Sequence, residues 1–272
     1  MKPPRTVLIT GADSGIGWAT ARLLARHGCR VFAAIFRPDP PASQGFELLP
    51  LDVTSPASVA ACVSAVVEQA GRLDVLVNNA GFGVLGPLEE TTPEEARSLL
   101  EVNLLGPHRL VSAVLPVMRA QGSGLILNVS SAAALLGVPF EGMYCASKAA
   151  LETYTEALRL EVRGFGVRVA LVQPGLVRTS FLENAQWTAV SLEAYALLRE
   201  HYTERYAHAW DKAAPPEAVA QAILRVMNRR SPAWRYSVGA DAWQLNWLTR
   251  WLPRPWLHYG LARMLLRSSA RR

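Results

Sequence analysis

The chain is short of the features that mark several common protein classes. Its 272 residues hold only three cysteines, Cys29, Cys62 and Cys145, with no close spacing among them. That excludes a disulfide framework and a metal knuckle, so no metal site is predicted, and it fits a reducing, cytoplasmic setting. No apolar run reaches the roughly 18 residues that span a bilayer, although 50% of the chain is apolar. Met1-Lys2-Pro3-Pro4-Arg5 precedes the first candidate strand without an apolar segment, so neither a secretory signal nor a transit peptide is predicted. No long polar or Pro/Gly/Ser linker cuts the chain, and a single domain is expected. Nor is there a large excess of one charge. Lys and Arg number 28 against 22 Asp and Glu, and the resulting +6 is met by an anionic cofactor or surface as readily as by nucleic acid, for which nothing else speaks.

What is there is alternation. Thr6 to Thr10 is a short β-branched, apolar run of the kind that forms a buried parallel strand. Gly11-Ala12-Asp13-Ser14-Gly15-Ile16-Gly17 follows, and Trp18 to Arg26 then reads as a helix. Strand, glycine turn and helix form the context of a phosphate-binding loop, because glycines let backbone approach a pyrophosphate and a helix start offers unpaired N–H groups. The spacing here is GxxxGxG rather than GxGxxG. Further strands are predicted at Arg30 to Ile35, Glu47 to Leu51, Asp74 to Val77, Gly124 to Val129, Gly166 to Gln173 and Trp234 to Val238, with helices between them. The expected fold is an α/β, Rossmann-type doubly wound parallel sheet of about seven strands, with the strands' carboxyl ends on one rim.

That rim collects the candidate binding residues. Strand two ends in Ile35-Phe36-Arg37 without a carboxylate, and an arginine there suits a ribose 2′-phosphate, favouring NADP(H) over NAD(H). Phe36 could cover an adenine. Asp52, followed by Val53, either accepts a hydrogen bond from an adenine amino group or serves as a helix cap or turn former before Pro56. Asn78-Asn79-Ala80-Gly81 ends strand four, and Thr91 or Thr92 caps a long helix in which Asn103 stands beside a break expected at Pro107. Strand five delivers Ser130 and Ser131. Tyr144 and Lys148 lie four residues apart, so on a helix they share a face with Cβ atoms about 6 Å apart. A cation beside a phenol favours the phenolate, which would lower the tyrosine pKa toward neutrality; the alternative is an ordinary solvated pair.

Taken together, Thr10-Gly11-x-x-x-Gly15-x-Gly17, Asn78-Asn79-Ala80-Gly81, Asn103, Ser131, Tyr144-x-x-x-Lys148 and Pro174-Gly175 with Thr179 resemble the short-chain dehydrogenase/reductase family over nearly the whole chain. The run from Asn79 to Leu88 and Gly137-Val138-Pro139-Phe140 look like its hydroxysteroid and retinol dehydrogenase branch. The resemblance implies Tyr144 as general acid/base, Ser131 as holder of the substrate oxygen, Lys148 on the nicotinamide ribose, and Asn103 as positioner of a water. It implies that the glycine turn, with Asp13, Ser14 and Ile16, holds the pyrophosphate, and that Asn79, Ala80, Gly81, Val177 and Thr179 line the nucleotide. Cys145, beside the tyrosine, reads as a packing residue.

By the same resemblance residues 1–239 form the catalytic domain, with a helical lid at about 180–214 rich in aromatics: Phe181, Trp187, Tyr195, Tyr202, Tyr206 and Trp210. These equally suit helix core. Residues 240–272 form a helical extension with Trp243, Trp247 and Trp251 every four residues. It could lie on a membrane, close over a lipid-like substrate, or pack on the domain or a second subunit. The expected activity interconverts an alcohol and its ketone or aldehyde on a hydrophobic small molecule, in a homodimer or homotetramer. The alternatives are a non-catalytic nucleotide-binding protein of the same fold, or an epimerase or dehydratase.

Overall fold

The computed structural model describes residues 4–36, 45–179, 181, 185–210 and 213–266. Arg37, Ser180 and the closing arginines Arg271 and Arg272 therefore lie outside the described residues.

In chain order the elements are β1 (Thr6–Thr10), α1 (Gly15–Arg26), β2 (Arg30–Ile35), β3 (Glu47–Pro50), α2 (Pro56–Ala70), β4 (Val75–Asn78), β5 (Val84–Leu85), α3 (Pro93–Leu100), α4 (Gly106–Ala120), β6 (Gly124–Val129), α5 (Gly142–Glu161), β7 (Val167–Pro174), β8 (Gln186–Trp187), α6 (Ala196–Trp210), α7 (Pro216–Met227), β9 (Arg235–Val238), α8 (Ala240–Trp251) and α9 (Arg254–Leu266). Seven strands form one parallel sheet in the order β3-β2-β1-β4-β6-β7-β9, as expected. β5 and β8 make a separate two-stranded parallel pair.

Side chains alternate across the central strands, and each face buries its own set. Val7, Ile9, Val75, Val77, Leu125 and Leu127 face a core shared with Leu24 of α1 and Val219, Ile223 and Val226 of α7. Leu8, Phe32, Leu76 and Ile126 face the opposite core with Val59, Val63 and Val66 of α2 and Leu110, Val114 and Met118 of α4. Apolar layers on both faces explain why these strands read as continuous hydrophobic runs.

Two local stops aim the chain at the rim. Thr92 closes a capping box with Glu95 at the start of α3, its hydroxyl accepting from the Glu95 amide at 3.2 Å and its own amide donating to the Glu95 carboxylate at 2.8 Å. The break expected at Pro107 is a π-helical turn, Glu101–Leu105, that runs without a gap into α4, where Pro107, the second residue, has no N–H to donate back to it. Helix α5 begins two residues before Tyr144, at Gly142.

Candidate active site

The carboxyl ends of the strands open onto one cavity of about 680 Å3. Gly11, Asp13, Ser14, Gly15, Ile16, Asp52, Val53, Asn79, Ala80, Gly81, Ser131, Tyr144, Lys148, Pro174, Gly175, Val177 and Thr179 all line it. Sequence reasoning thus collected residues from five separate strand ends, and two from α5, onto one surface. Gly17 and Asn103 are the described members that do not line it, and both act from behind.

The glycine turn has no room for side chains. A Cβ on Gly17 would stand 2.2 Å from the Gly11 carbonyl oxygen and 2.7 Å from Asn79 Nδ2, while one on Gly11, whose φ is +60°, would meet Ala80 Cα at 2.7 Å. Asn79 locks this arrangement by donating from Nδ2 to the carbonyls of Thr10 and Gly11, both at 3.0 Å, and the amides of Asn79 and Ala80 donate to Thr10 Oγ1 at 3.0 Å each. The result is a tight backbone cradle at the start of α1, whose N-cap Ser14 makes no side-chain cap. Such a cradle fits an anionic phosphate group.

Asp52 adopts the turn-forming role: its Oδ1 accepts from the amide and hydroxyl of Thr54 at 2.8 and 2.7 Å, and Ser55 rather than Asp52 caps α2. Phe36 stays exposed at the cavity edge. Thr179 sits across the cavity against Gly15, where an added Cβ would come within 3.0 Å of its side chain.

Asn103 is fully buried inside the π-helical turn. Its Nδ2 donates to the Phe82 carbonyl at 3.0 Å and to Ser147 Oγ at 3.1 Å, and its Oδ1 accepts from the Phe82 amide at 3.1 Å. The side chain thereby ties the loop after β4 to α5, directly behind Lys148. Asn78 does not reach the cavity; it joins Asn128 and Thr155 in a buried chain of hydrogen bonds beneath the rim.

Tyr144 and Lys148 share one face of α5, with Nζ 5.8 Å from the centre of the phenol ring. Nζ donates to the Val129 carbonyl at 3.1 Å. Burial dominates both groups. It pushes the Tyr144 phenol above its ordinary value, with the nearby Glu141 adding to the rise and a hydrogen bond with Ser131 opposing it. It lowers the Lys148 ammonium to about 8. The lowering of the phenol expected from sequence is therefore reversed in this cavity, because desolvation acts on acid and cation alike. Cys145 is buried, its Sγ receives the Val138 amide at 3.4 Å, and burial raises its thiol to about 11, as befits a packing residue.

Four functional positions escaped sequence reasoning. Glu141 lines the cavity beside Tyr144. Glu152, one face further along α5, accepts from Ser130 Oγ at 3.0 Å, Gln173 Nε2 at 2.6 Å and Arg235 Nη2 at 2.5 Å, and so bolts α5 to β6, β7 and β9. Asp241 of α8 receives the Leu176 amide at 2.7 Å and fixes the Pro174-Gly175 loop. Glu90 accepts from Arg199 at 2.5 Å, the Leu192 amide at 2.8 Å and Thr188 at 3.2 Å, pinning the 185–210 segment to the body. Each pairing spans at least 21 residues in sequence, and no local pattern announces it.

Phe181 and, from that segment, Gln186, Tyr206 and Trp210 line the other end of the cavity, with Phe181 5.4 Å from Tyr144 between ring centres. Tyr202 is buried between Phe140 and Tyr206, so the aromatic run supplies both cavity wall and core.

A parallel sheet with a glycine cradle at one rim, opening onto a pocket floored by serine, tyrosine and lysine, defines a nucleotide-binding α/β protein built for oxidoreduction. A family profile described as short chain dehydrogenase matches residues 5–189. The chain belongs to the short-chain dehydrogenase/reductase family of oxidoreductases. It is 35% identical to a 3-ketodihydrosphingosine reductase of Bacteroides thetaiotaomicron over 95% of this chain and 97% of that protein. It is 40% identical to mouse 17-beta-hydroxysteroid dehydrogenase type 1, over 86% and 73%, and 34% identical to bovine retinol dehydrogenase 8, over 85% and 80%. Among solved structures, a short-chain dehydrogenase from Streptomyces avermitilis superposes with a TM-score of 0.82 at 33% identity, covering 99% of both chains. Two Burkholderia relatives were solved with nucleotide: one from B. phymatum with NAD (TM-score 0.74, 27% identity, 85% and 88% covered) and one from B. cenocepacia with NADP (0.76, 26%, 96% and 99%).

Proposed function

We propose that this chain interconverts an alcohol and its ketone or aldehyde on a hydrophobic substrate of steroid, retinoid or long-chain lipid type, using NADP(H) in preference to NAD(H). The observation that carries the reading is the meeting of Ser131, Tyr144 and Lys148 in one cavity with the glycine cradle. The nicotinamide dinucleotide supplies or accepts the hydride when bound. Tyr144 gives its proton to a carbonyl oxygen in reduction and takes it back in oxidation, and Ser131 holds the same oxygen, stabilising negative charge as it develops. Lys148 holds the nicotinamide ribose, with Val177 and Thr179 at the carboxamide. Gly11 to Gly17 seats the pyrophosphate, and Arg37 receives a 2′-phosphate. Asn103 keeps Lys148 and the Gly81 loop in register.

In this reading residues 185–210 act as a lid over the substrate, since Tyr206 and Trp210 wall the cavity while Glu90 anchors their segment. The protein works as a homodimer or homotetramer. The exposed indoles of Trp243, Trp247, Trp251 and Trp256 contact a lipid surface or a second copy. Among the described residues no helix is long and apolar enough to cross a membrane.

The test incubates the purified protein with NADPH or NADH and a panel of apolar ketones while following nicotinamide absorbance. Turnover is expected, with Tyr144→Phe keeping cofactor affinity and losing roughly 100- to 10,000-fold in kcat. Cofactor binding without oxidation by any ketone overturns the oxidoreductase reading, and product formed without net cofactor consumption replaces it with epimerase or dehydratase chemistry.

A further inference from the structure

We infer that Glu141 is a cation-reading residue of the substrate cavity, and that the preferred substrate carries an ammonium group within a few bonds of the carbon that Tyr144 serves. This rests on the oxidoreductase reading above and narrows its substrate class.

Glu141 occupies the N-cap position of α5, yet its side chain makes no capping bond to that helix. It lines the cavity three residues before Tyr144. The residue ahead of it, Phe140, has a φ of +68°, the only positive value outside glycine among the described residues. An aromatic side chain adopts that conformation only where its surroundings enforce it. Here the Phe140 carbonyl accepts from the Gly86 amide at 2.8 Å, and its ring stacks on Tyr202 with centres 5.1 Å apart. The Tyr202 hydroxyl then donates to Glu141 Oε1 at 2.8 Å. A strained residue and a buried phenol thus hold one carboxylate oxygen in place.

The other oxygen, Oε2, receives no donor from the described residues, and no described Lys, Arg or His forms an ion pair with Glu141. The one described cationic side chain lining the cavity, Lys148, is directed to the Val129 carbonyl. Burial raises the Glu141 carboxyl and the Tyr202 bond only partly offsets that, so a cation placed at Oε2 would favour the charged form. The same carboxylate pushes the Tyr144 phenol upward. A substrate ammonium at Oε2 would supply the counter-charge and relieve Tyr144 at the moment of use. A neutral steroid or retinoid would do neither.

The experiment compares kcat/KM for 2-aminododecan-3-one and dodecan-3-one in the wild type and in Glu141→Gln, which keeps an acceptor for Tyr202 and removes the charge. Dodecylamine and 1-dodecanol are titrated into both proteins as non-reacting probes. The wild type is expected to prefer the amino ketone by roughly 10- to 100-fold, the range of a hydrogen bond to a charged group, and the ratio should collapse toward one in the variant. Dodecylamine should bind the wild type more tightly than the variant by a similar factor, with no such change for dodecanol. Equal use of both ketones by the wild type, or a preference that survives Glu141→Gln, overturns the inference and leaves the oxidoreductase reading intact. Glu141-dependent dodecylamine binding without turnover of either ketone or of any in the apolar panel has the opposite meaning: it upholds the cation site and removes the oxidoreductase reading.

Discussion

The buried Lys148 makes a quantitative prediction for the nucleotide-free protein. Its ammonium is lowered by desolvation to about 8, whereas an unfolded chain restores an ordinary lysine near 10.4. Between those values the unfolded state binds more protons than the folded state, so stability rises with pH. Near pH 7 the displaced lysine costs about 3 kcal/mol, and near pH 9.5 about 1 kcal/mol, a gain of about 2 kcal/mol across the window. For a chain of this size that is roughly 4–8 °C in Tm. The raised Tyr144 phenol acts in the reverse sense only above its ordinary value of 10, so the series stops short of that. The perturbation is Lys148→Met, which fills the same space without charge. Urea denaturation of wild type and variant, each from about pH 7 to 9.5, isolates the lysine because every other titrating group cancels in the difference. The wild type should converge on the variant from below as pH rises. Parallel profiles would refute the reasoning and mean that the amine stays protonated in the fold.

Three further perturbations follow from contacts already described. Gly17→Ala places a methyl 2.2 Å from the Gly11 carbonyl, so nucleotide binding measured by fluorescence titration should weaken at least tenfold; unchanged affinity would show that the cradle tolerates a shift. Glu152→Ala strands Ser130, Gln173 and Arg235, and thermal unfolding should show a loss of about 3–5 kcal/mol; a loss under about 1 kcal/mol would mean that Arg235 finds water. Burial pushes the Glu90 carboxyl up, but hydrogen bonds from Leu192, Arg199 and Thr188 outweigh it and hold the group below the ordinary carboxylate range, so its clamp is complete above that range and is lost only as pH falls on through the group's own lower value. Glu90→Gln should speed hydrogen exchange in residues 192–210 by roughly tenfold or more while the central strands keep their protection; equal exchange would remove the clamp from the account.

The sheet was legible because its signal is local. Thr6 to Thr10, Arg30 to Ile35 and Gly124 to Val129 have the limits read from their apolar runs, the first of them stopped between Arg5 and Gly11. The other strand limits moved by one residue. The site was legible for a related reason: Ser131, Tyr144 and Lys148 lie close in sequence, and topology brings every strand's carboxyl end to one rim. Electrostatics was not. That Tyr144 rises rather than falls depends on burial, which no residue spacing encodes. The Asn103 break was placed correctly: a π-helical turn holds Asn103, Pro107 follows it in α4 without the N–H that would reach the Asn103 carbonyl, and what the sequence did not show is that the Asn103 side chain bonds Phe82 and Ser147.

Helix α8 carries two surfaces that face apart. Asp241 and Leu245, one turn from each other, form part of the cavity's wall, and Asp241 grips the Leu176 amide. Trp243, Trp247 and Trp251, offset by two residues, point outward and stand 64%, 52% and 65% exposed. One turn of helix thus serves two environments at once, a cavity wall on one side and a solvent-facing row of indoles on the other.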